Sequence, residues 1–214
     1  MGAMAAIPTA LIAFTAAAGL LTITPGLDTA LVLRTATAEG PRPATLAALG
    51  IVSACFGWAI MVALGLGALL AASQLAYTVL RAAGAMYLLF TGVRLLLRPR
   101  HAFLETAADS RSARPLTRAA FARGALTNLL NPKVGIFYVS FLPQFVPSAV
   151  PVGPFILLLG AIHAILGVLW FASLILATQP IAQWLRRPAI VTGLDRLTGG
   201  LFIGFGIGLA LRSR

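Results

Sequence analysis

The chain of 214 residues is poor in acidic side chains, in histidine and in cysteine. It contains five Asp and Glu residues, two histidines and one cysteine, Cys55. A single cysteine excludes an intramolecular disulfide and a cysteine-based metal site, so we interpret Cys55 as a small packing residue. The apolar segments also lack a His-Glu-x-x-His motif, a pair of carboxylates and a serine with a base. These absences predict a protein that is not an enzyme and that uses no cofactor or metal ion.

Charged residues make up only 10% of the chain, whereas apolar residues make up 59%. Soluble domains contain roughly a quarter charged and about half apolar residues, so the composition predicts an integral membrane protein. The net charge of +11 comes from arginines that cluster between apolar segments. A groove that binds nucleic acid interleaves basic with aromatic residues, so we expect no nucleic-acid partner. No basic segment precedes the first apolar stretch, which argues against a cleaved signal peptide.

Six apolar segments are each long enough to cross a bilayer, which takes about 20 residues in a helix. They cover residues 6–33, 44–72, 76–97, 119–146, 153–178 and 190–211. The fold class that we predict is therefore an all-α membrane protein with about six transmembrane helices. The sixth segment is rich in glycine, which favours close helix packing; its glycines are Gly199, Gly200, Gly204, Gly206 and Gly208.

Arginine divides the connections between these segments into two classes. The second connection, near Ser73, and the fourth, at 147–153, carry no charge, whereas the first, third and fifth carry arginines. Because positive residues accumulate on the cytoplasmic side, we expect these three connections in the cytoplasm and, with six full spans, both termini outside. Arg212 and Arg214 conflict with that placement of the C-terminus. A re-entrant segment before Pro25 would put the N-terminus in the cytoplasm.

The stretch 98–118 is polar and arginine-rich. We predict that it is a cytoplasmic linker between residues 1–97 and 119–214, and we interpret it as a solvated connector rather than a regulatory segment. Each half has three spans, an odd number, so two similar halves would insert in opposite orientations. This is the geometry of an inverted repeat.

Each half has one proline break inside an apolar segment, at Pro25 and at Pro132. Proline removes a backbone donor, and a bilayer tolerates freed polar groups only where protein or a watery cavity satisfies them. Broken helices at matching positions of two halves indicate a transport site. The residues that we predict to bind substrate or to couple transport are Thr24, Pro25, Gly26, Asp28, Asn128, Asn131, Pro132 and Lys133.

Asp28 and Lys133 are the two opposite charges beside these breaks. A charge at the bilayer centre costs at least about 2.5–3.5 kcal/mol, so we expect the two to approach each other. One interpretation is a structural ion pair that locks the halves together; the other, which we favour, is direct participation in binding or coupling. If half-helices begin at the two prolines, their amides and dipoles form an anion site. That site and Lys133 suit a carboxylate, while Asp28 takes an ammonium or a proton, and an amino-acid backbone carries both groups.

His163 lies in an apolar run. It could relay protons, but we favour a neutral histidine bonded to a neighbouring helix. The aromatic residues after Lys133 we interpret as packing rather than as a gate; they are Phe137, Tyr138, Phe141 and Phe145.

At these residues the chain resembles the lysine exporter family (LysE/RhtB type) of amino-acid efflux proteins. The resemblance covers nearly the whole chain and is most specific in Leu130-Asn131-Pro132-Lys133 and in the following segment 141–145. Segment 24–28 is similar to the family's N-terminal signature, and segment 84–88 also matches. One departure is Leu27, where the family commonly has a second proline.

The resemblance implies export of amino acids or close derivatives from the bacterial cytoplasm, driven by the proton gradient. It thus implies a multi-pass protein of the bacterial inner membrane whose partners are an amino acid, protons and lipid. Whether the protein forms a homo-oligomer is left open by the sequence. A cationic substrate would need a second buried carboxylate, and we expect Asp195 to pair with Arg196, so we favour a neutral substrate. The alternatives are a metal-cation exporter of the same superfamily and a membrane scaffold subunit that transports nothing.

Overall fold

The computed structural model describes residues 2–72, 74–99, 117–185 and 187–211. All regular structure in these ranges is helical, as the sequence predicts. The elements are α1 (Gly2–Ile23), α2 (Leu27–Ala38), α3 (Pro41–Ala72), α4 (Gln74–Leu97), α5 (Thr117–Leu129), α6 (Pro132–Ile136), a π-helical turn (Phe137–Phe141), a 3-10 turn (Leu142–Phe145), α7 (Val152–Leu176), α8 (Thr178–Leu185) and α9 (Pro188–Leu211).

Four of the described helices are long and apolar enough to cross a bilayer. These spans are Ala6–Ile23, Pro41–Gly65, Val152–Leu176 and Pro188–Gly208, and α4 adds a shorter apolar stretch, Ala82–Leu97. The chain is therefore a multi-pass membrane protein. The predicted fourth segment, 119–146, differs from expectation because it is divided into α5, α6 and the two short turns. At 1.5 Å per residue, the 13 residues of α5 reach only about 20 Å.

The helix axis is interrupted at both prolines. Helix α1 ends at Ile23, although the Thr24 amide still donates to the Leu20 carbonyl, and α2 begins at Leu27. Gly26 between them is extended, with φ −152°. Helix α5 ends at Leu129, and α6 begins at Pro132 as its first residue. Proline suits that position because its missing amide hydrogen is not needed there.

Helix α3 lies at the centre of the bundle, between α5 and α7, while α4 packs along α9 and α1 along α7. Two glycines allow α3 and α5 to meet backbone to backbone. A Cβ atom on Gly50 would collide with the carbonyl oxygen of Phe121 and lie 2.9 Å from the Ala125 amide nitrogen. A Cβ on Gly124 would collide with the carbonyl oxygen of Ala47. This contact joins the two halves of the sequence at close range.

The packing role predicted for the glycines of α9 holds for two of them. A Cβ on Gly199 would lie 2.8 Å from the Gly92 carbonyl oxygen of α4, and one on Gly206 would lie 2.8 Å from Leu89. The remaining three would meet no atom within 4 Å, so packing inside this chain does not account for them; they are Gly200, Gly204 and Gly208.

Several sequence predictions concern residues outside the described ranges. Residues 100–116 of the predicted linker, Ser73, Arg212 and Arg214 all lie there. Near the linker, the described part holds an ion pair that joins the end of α2 to α5, with Arg123 Nη2 3.0 Å from Glu39 Oε2. The assignment of each connection to one side of the membrane stays a prediction.

We expect Gly50→Ala to destabilise the protein by about 1–3 kcal/mol, because the added methyl group would force α3 away from α5. Gly57→Ala in the same helix is the matched control, since its Cβ would meet no atom within 4 Å. Thermal unfolding in detergent, followed by tryptophan fluorescence, measures both. Equal effects of the two substitutions would contradict the close contact.

Candidate functional site

Lys133 links the second proline break to the first. Its ammonium group donates to the carbonyl oxygens of Leu21 and Thr24, each at 2.9 Å. Leu21 lies in the last turn of α1 and Thr24 directly follows the helix. A helix end leaves acceptors unsatisfied, and the helix dipole favours a cation there. A Cβ on Gly26 would lie 3.6 Å from the Lys133 nitrogen. Lys133 therefore caps the broken end of α1 from the other half of the molecule.

Asp28 occupies the first turn of α2, where the helix dipole favours a negative charge. Its Oδ2 accepts a hydrogen bond of 2.8 Å from Asn128 Nδ2 at the end of α5. Lys133 also acts on this carboxylate electrostatically. The predicted approach of the two charged residues thus occurs, and each charge additionally has neutral hydrogen-bond partners.

The other carboxylate oxygen of Asp28 and the single side-chain oxygen of Asn128 are both buried. Among the described residues neither Asp28 Oδ1 nor Asn128 Oδ1 has a hydrogen-bond partner. Leaving a buried acceptor unpaired costs about 1–3 kcal/mol, and more for a charged group. A cationic ligand would supply donors for such buried acceptors.

Asn131 caps the helix that follows the second break. Its side-chain Oδ1 accepts from the Lys133 amide at 3.1 Å. Its own carbonyl accepts from the amides of Val134 and Gly135 at 3.1 and 3.0 Å. In this structure the first α6 amides are therefore bonded to Asn131, and the expected anion site on them stays a prediction. No side chain caps α2 at Gly26.

Thr24 connects the first break to α9. Its hydroxyl donates to the Leu20 carbonyl at 2.6 Å and lies 2.8 Å from the Thr198 hydroxyl. Both threonines are buried, and Asp195, one turn before Thr198, is completely buried. Asp195 is therefore a second buried carboxylate besides Asp28, whereas the expectation of a neutral substrate assumed that the site has no second one. The pairing of Asp195 with Arg196 stays a prediction.

A cavity of about 50 Å³ lies between the two breaks. The predicted site residues on its wall are Thr24, Gly26, Asp28, Asn131 and Lys133. Pro25, Asn128 and Pro132 are not among its lining residues. Since one water needs about 10–15 Å³ of such space, the cavity has room for a few water molecules, and it is partly open to its surroundings.

The opposite wall contains residues that sequence analysis placed outside the site. Cys55 of α3 and His163 of α7 line the cavity together with apolar side chains such as Ile51. The His163 Nδ1 atom lies 2.9 Å from the Tyr138 hydroxyl, which confirms the interpretation of a histidine bonded to another element. Asn128 Nδ2 also donates to Cys55 Sγ at 3.3 Å, so Cys55 is more than a packing residue. Cys55, Tyr138 and His163 are far apart in the sequence, and no motif or spacing there predicts that they lie together.

The aromatic residues after Lys133 form a packed cluster, as interpreted from the sequence. Phe137 and Phe141 stack with ring centroids 5.2 Å apart, and Phe141 meets Phe145 at 5.1 Å. All three are buried, and Phe14 of α1 touches both Phe137 and Phe145.

These features define a multi-pass membrane protein with a small polar cavity at two helix breaks. The family model of the LysE type translocator matches residues 20–213. The chain belongs to this family, which is one of transporters and not of enzymes, and the resemblance seen in the sequence is confirmed.

Named relatives align along almost their whole length. A membrane protein of Vibrio cholerae is 31% identical over 201 residues, covering 93% of this chain and 95% of its own. The homoserine/homoserine lactone efflux protein of Salmonella typhimurium is 29% identical, covering 89% and 91%. The leucine efflux protein of Enterobacter is 29% identical, covering 89% and 90%. No solved structure matches the chain significantly.

We expect the Thr24–Thr198 bond to couple the first break to α9. In a double-mutant cycle, Thr24→Val and Thr198→Val should show a coupling energy of about 0.5–1.5 kcal/mol, since valine keeps the shape and removes the hydroxyl. Thr37→Val supplies the control, because the Thr37 hydroxyl donates only within its own helix, to the Leu33 and Arg34 carbonyls. Unfolding in detergent measures each variant. Strict additivity of Thr24→Val with Thr198→Val would rule out the coupling.

Proposed function

We propose that this chain exports a neutral amino acid or a close derivative from the bacterial cytoplasm and exchanges it for protons. The observation that carries this proposal is the small cavity whose wall holds the Asp28 carboxylate from one half and the Lys133 ammonium from the other. An amino acid carries the two complementary charges on groups that are attached to the same carbon atom. The relatives named for homoserine and leucine efflux support a substrate of this kind.

The ammonium group of the substrate binds Asp28 Oδ1 and Asn128 Oδ1. Both acceptors are buried and without a donor in the described part of the chain, and an ammonium has three donors. Binding there would satisfy both acceptors at once. It would also place the cation at a carboxylate, where hydrogen bonds are roughly twice as strong as between neutral groups.

The carboxylate of the substrate binds on the Lys133 side of the cavity. The ammonium of Lys133 now donates to two backbone carbonyls, which are neutral acceptors. A carboxylate competes with them because its bonds to a cation are charge-assisted. Substrate binding would thereby release α1 from Lys133, which links occupancy of the cavity to movement of the first break.

A neutral side chain fits the rest of the lining. Asp28 is the one carboxylate among the lining residues, and apolar groups from four helices complete the wall, among them Ile51, Val134 and Phe171. A lysine or arginine side chain would need a further anionic partner in this apolar surrounding. Asp195 is buried but is not among the lining residues.

We further propose that residues 1–97 and 119–214 are inverted three-helix repeats with six membrane crossings, joined by the cytoplasmic linker 98–118. Exchange of the halves would pair α3 with α7 and α4 with α9, and both of these pairs are in contact. The same exchange of the halves would turn the contact between α3 and α5 into a contact between α7 and α1, and both contacts occur. Rocking of such halves exposes a central site to alternate sides. Because the cavity is smaller than an amino acid, it must widen in each half-cycle.

Protons couple to this cycle through Asp28. A proton and the substrate ammonium compete for the same carboxylate oxygen, so protonation from outside releases the amino acid and prevents its return. This competition gives antiport without a second ion site. A protein that works in this way would lie in the bacterial inner membrane, across which the proton gradient is held.

We expect Asp28→Asn to insert and fold but to lower amino-acid exchange in proteoliposomes by about 10- to 100-fold, the loss of one charged hydrogen bond. Asparagine keeps the shape and an acceptor for Asn128 but has no charge. Glu39→Gln is the matched control, because that carboxylate pairs with Arg123 and is not among the cavity lining residues. Normal exchange by Asp28→Asn would favour the structural ion pair instead, and exchange of no amino acid by the unaltered protein would favour a scaffold.

We expect efflux of a preloaded amino acid to accelerate when the outside of right-side-out vesicles is made acidic. A protonophore should abolish the acceleration, since it dissipates the gradient without touching the binding site. Amino acids are loaded one at a time to identify the substrate. Efflux that is equally fast with and without the gradient would refute proton coupling while leaving the exporter assignment intact.

A further inference from the structure

A chain of hydrogen-bonded side chains leads from Asp28 to the opposite wall of the cavity. Asn128 Nδ2 donates to Asp28 Oδ2 at 2.8 Å and to Cys55 Sγ at 3.3 Å. Cys55 and Tyr138 lie within interaction range of each other, and the Tyr138 hydroxyl lies 2.9 Å from His163 Nδ1. The chain crosses four elements besides α2: α5, α3, the π-helical turn and α7.

The direction of these hydrogen bonds is fixed at the Asp28 end. An ionised carboxylate only accepts, so the amide nitrogen of Asn128 must face it, and its second hydrogen faces Cys55. The Cys55 thiol accepts that hydrogen and is left with its own S–H as a donor to the Tyr138 oxygen. Tyr138 then donates to His163 Nδ1. A neutral imidazole has one donor and one acceptor, so the remaining nitrogen, Nε2, carries the hydrogen.

The His163 ring is held on the same cavity as Lys133. Both residues line it, and Lys133 acts electrostatically on the ring. The Phe137 ring packs against the imidazole with centroids 4.9 Å apart, and Tyr138 packs against it at 5.5 Å. Tyr138 is fully buried and His163 nearly so. The ring is thus restrained by packing as well as by its hydrogen bond.

The position of Tyr138 depends on an uncommon backbone geometry. It lies in the π-helical turn Phe137–Phe141, and such turns are rare and frequently occur at functional sites. If packing were the only requirement, phenylalanine at position 138 and leucine at position 163 would fill the space without burying polar groups.

We infer that His163 is a second carboxylate-binding residue, which donates from Nε2 beside the Lys133 ammonium, and that Cys55 and Tyr138 are positioning residues that hold it as a donor. This inference rests on the proposed function, because it names further contacts for the same amino acid. One hydrogen-bonded chain then joins the group that binds the substrate ammonium, Asp28 with Asn128, to a group that binds its carboxylate.

The test compares an amino acid with its carboxamide, for example leucine with leucinamide, as competitors in the proteoliposome exchange assay. The amide keeps the ammonium and the side chain but has no carboxylate. The unaltered protein should prefer the amino acid. His163→Phe should reduce that preference about 10- to 100-fold, as expected for one bond to a charged group. Tyr138→Phe, which removes only the hydroxyl that sets the tautomer, should reduce it by a smaller factor in the same direction.

Cys55 provides the control for folding, since both of its substitutions are small. Cys55→Ala interrupts the chain and should reduce the preference for the amino acid as Tyr138→Phe does. Cys55→Ser keeps a donor and an acceptor and should restore it. A role in packing alone would change thermal stability and maximal rate in these variants but not the ratio of apparent affinities for leucine and leucinamide.

Three results decide the matter. Reduced preference in His163→Phe, Tyr138→Phe and Cys55→Ala, with recovery in Cys55→Ser, supports the inference. An unchanged preference in Cys55→Ala and Tyr138→Phe, in proteins that still exchange the amino acid, overturns it and leaves the proposed function in place. If the unaltered protein exchanges no amino acid at all, both proposals fall.

Discussion

The rest of the structure depends on the bond between the Lys133 ammonium and the carbonyls at the end of α1. A helix that stops inside an apolar surrounding leaves acceptors that lipid cannot satisfy. Here the donor comes from the distant half of the sequence, so the first break is complete only when the second is packed against it. The turn through Pro25 and Gly26 then brings Asp28 to the start of α2 and beside Asn128. The cavity is the space that these constraints leave open.

Polar contacts of this kind are concentrated inside the bundle, while its outer surface is apolar. Large side chains such as Leu64, Leu130 and Leu176 are 72%, 78% and 87% exposed, as expected where lipid rather than water is the neighbour. Helices in lipid gain little from the hydrophobic effect, so close backbone contact and interhelical hydrogen bonds hold them together. The Gly50 and Gly124 contact and the Thr24–Thr198 bond are examples of each.

Composition and apolar length were sufficient to predict an all-helical membrane protein, and the paired prolines indicated where Asp28 and Lys133 would meet. Three features of the structure could not be predicted from the sequence. Backbone carbonyls accept the Lys133 charge, and a carbonyl has no residue-specific signature. The π-helical turn at Phe137–Phe141 follows from packing, not from a period in the sequence. The contact of Cys55 with Asn128 joins positions far apart in the chain. By contrast, Asn131 before Pro132 is a helix N-cap pattern. This pattern could have predicted that Asn131 bonds the first amides of α6.

The two breaks differ in where their capping groups come from, and this makes the molecule mechanically unequal. Asn131 caps α6 with its own side chain, so the start of that helix survives any separation of the halves. The end of α1 borrows its cap from Lys133, and α2 has no side-chain cap at Gly26. Leu27, at a place where proline is common in the family, is half-exposed and leaves the backbone there a freer torsion. In the proposed transport cycle, a conformational change would therefore meet less resistance at the first break than at the second, so the second would act as the fixed frame and the first as the moving part.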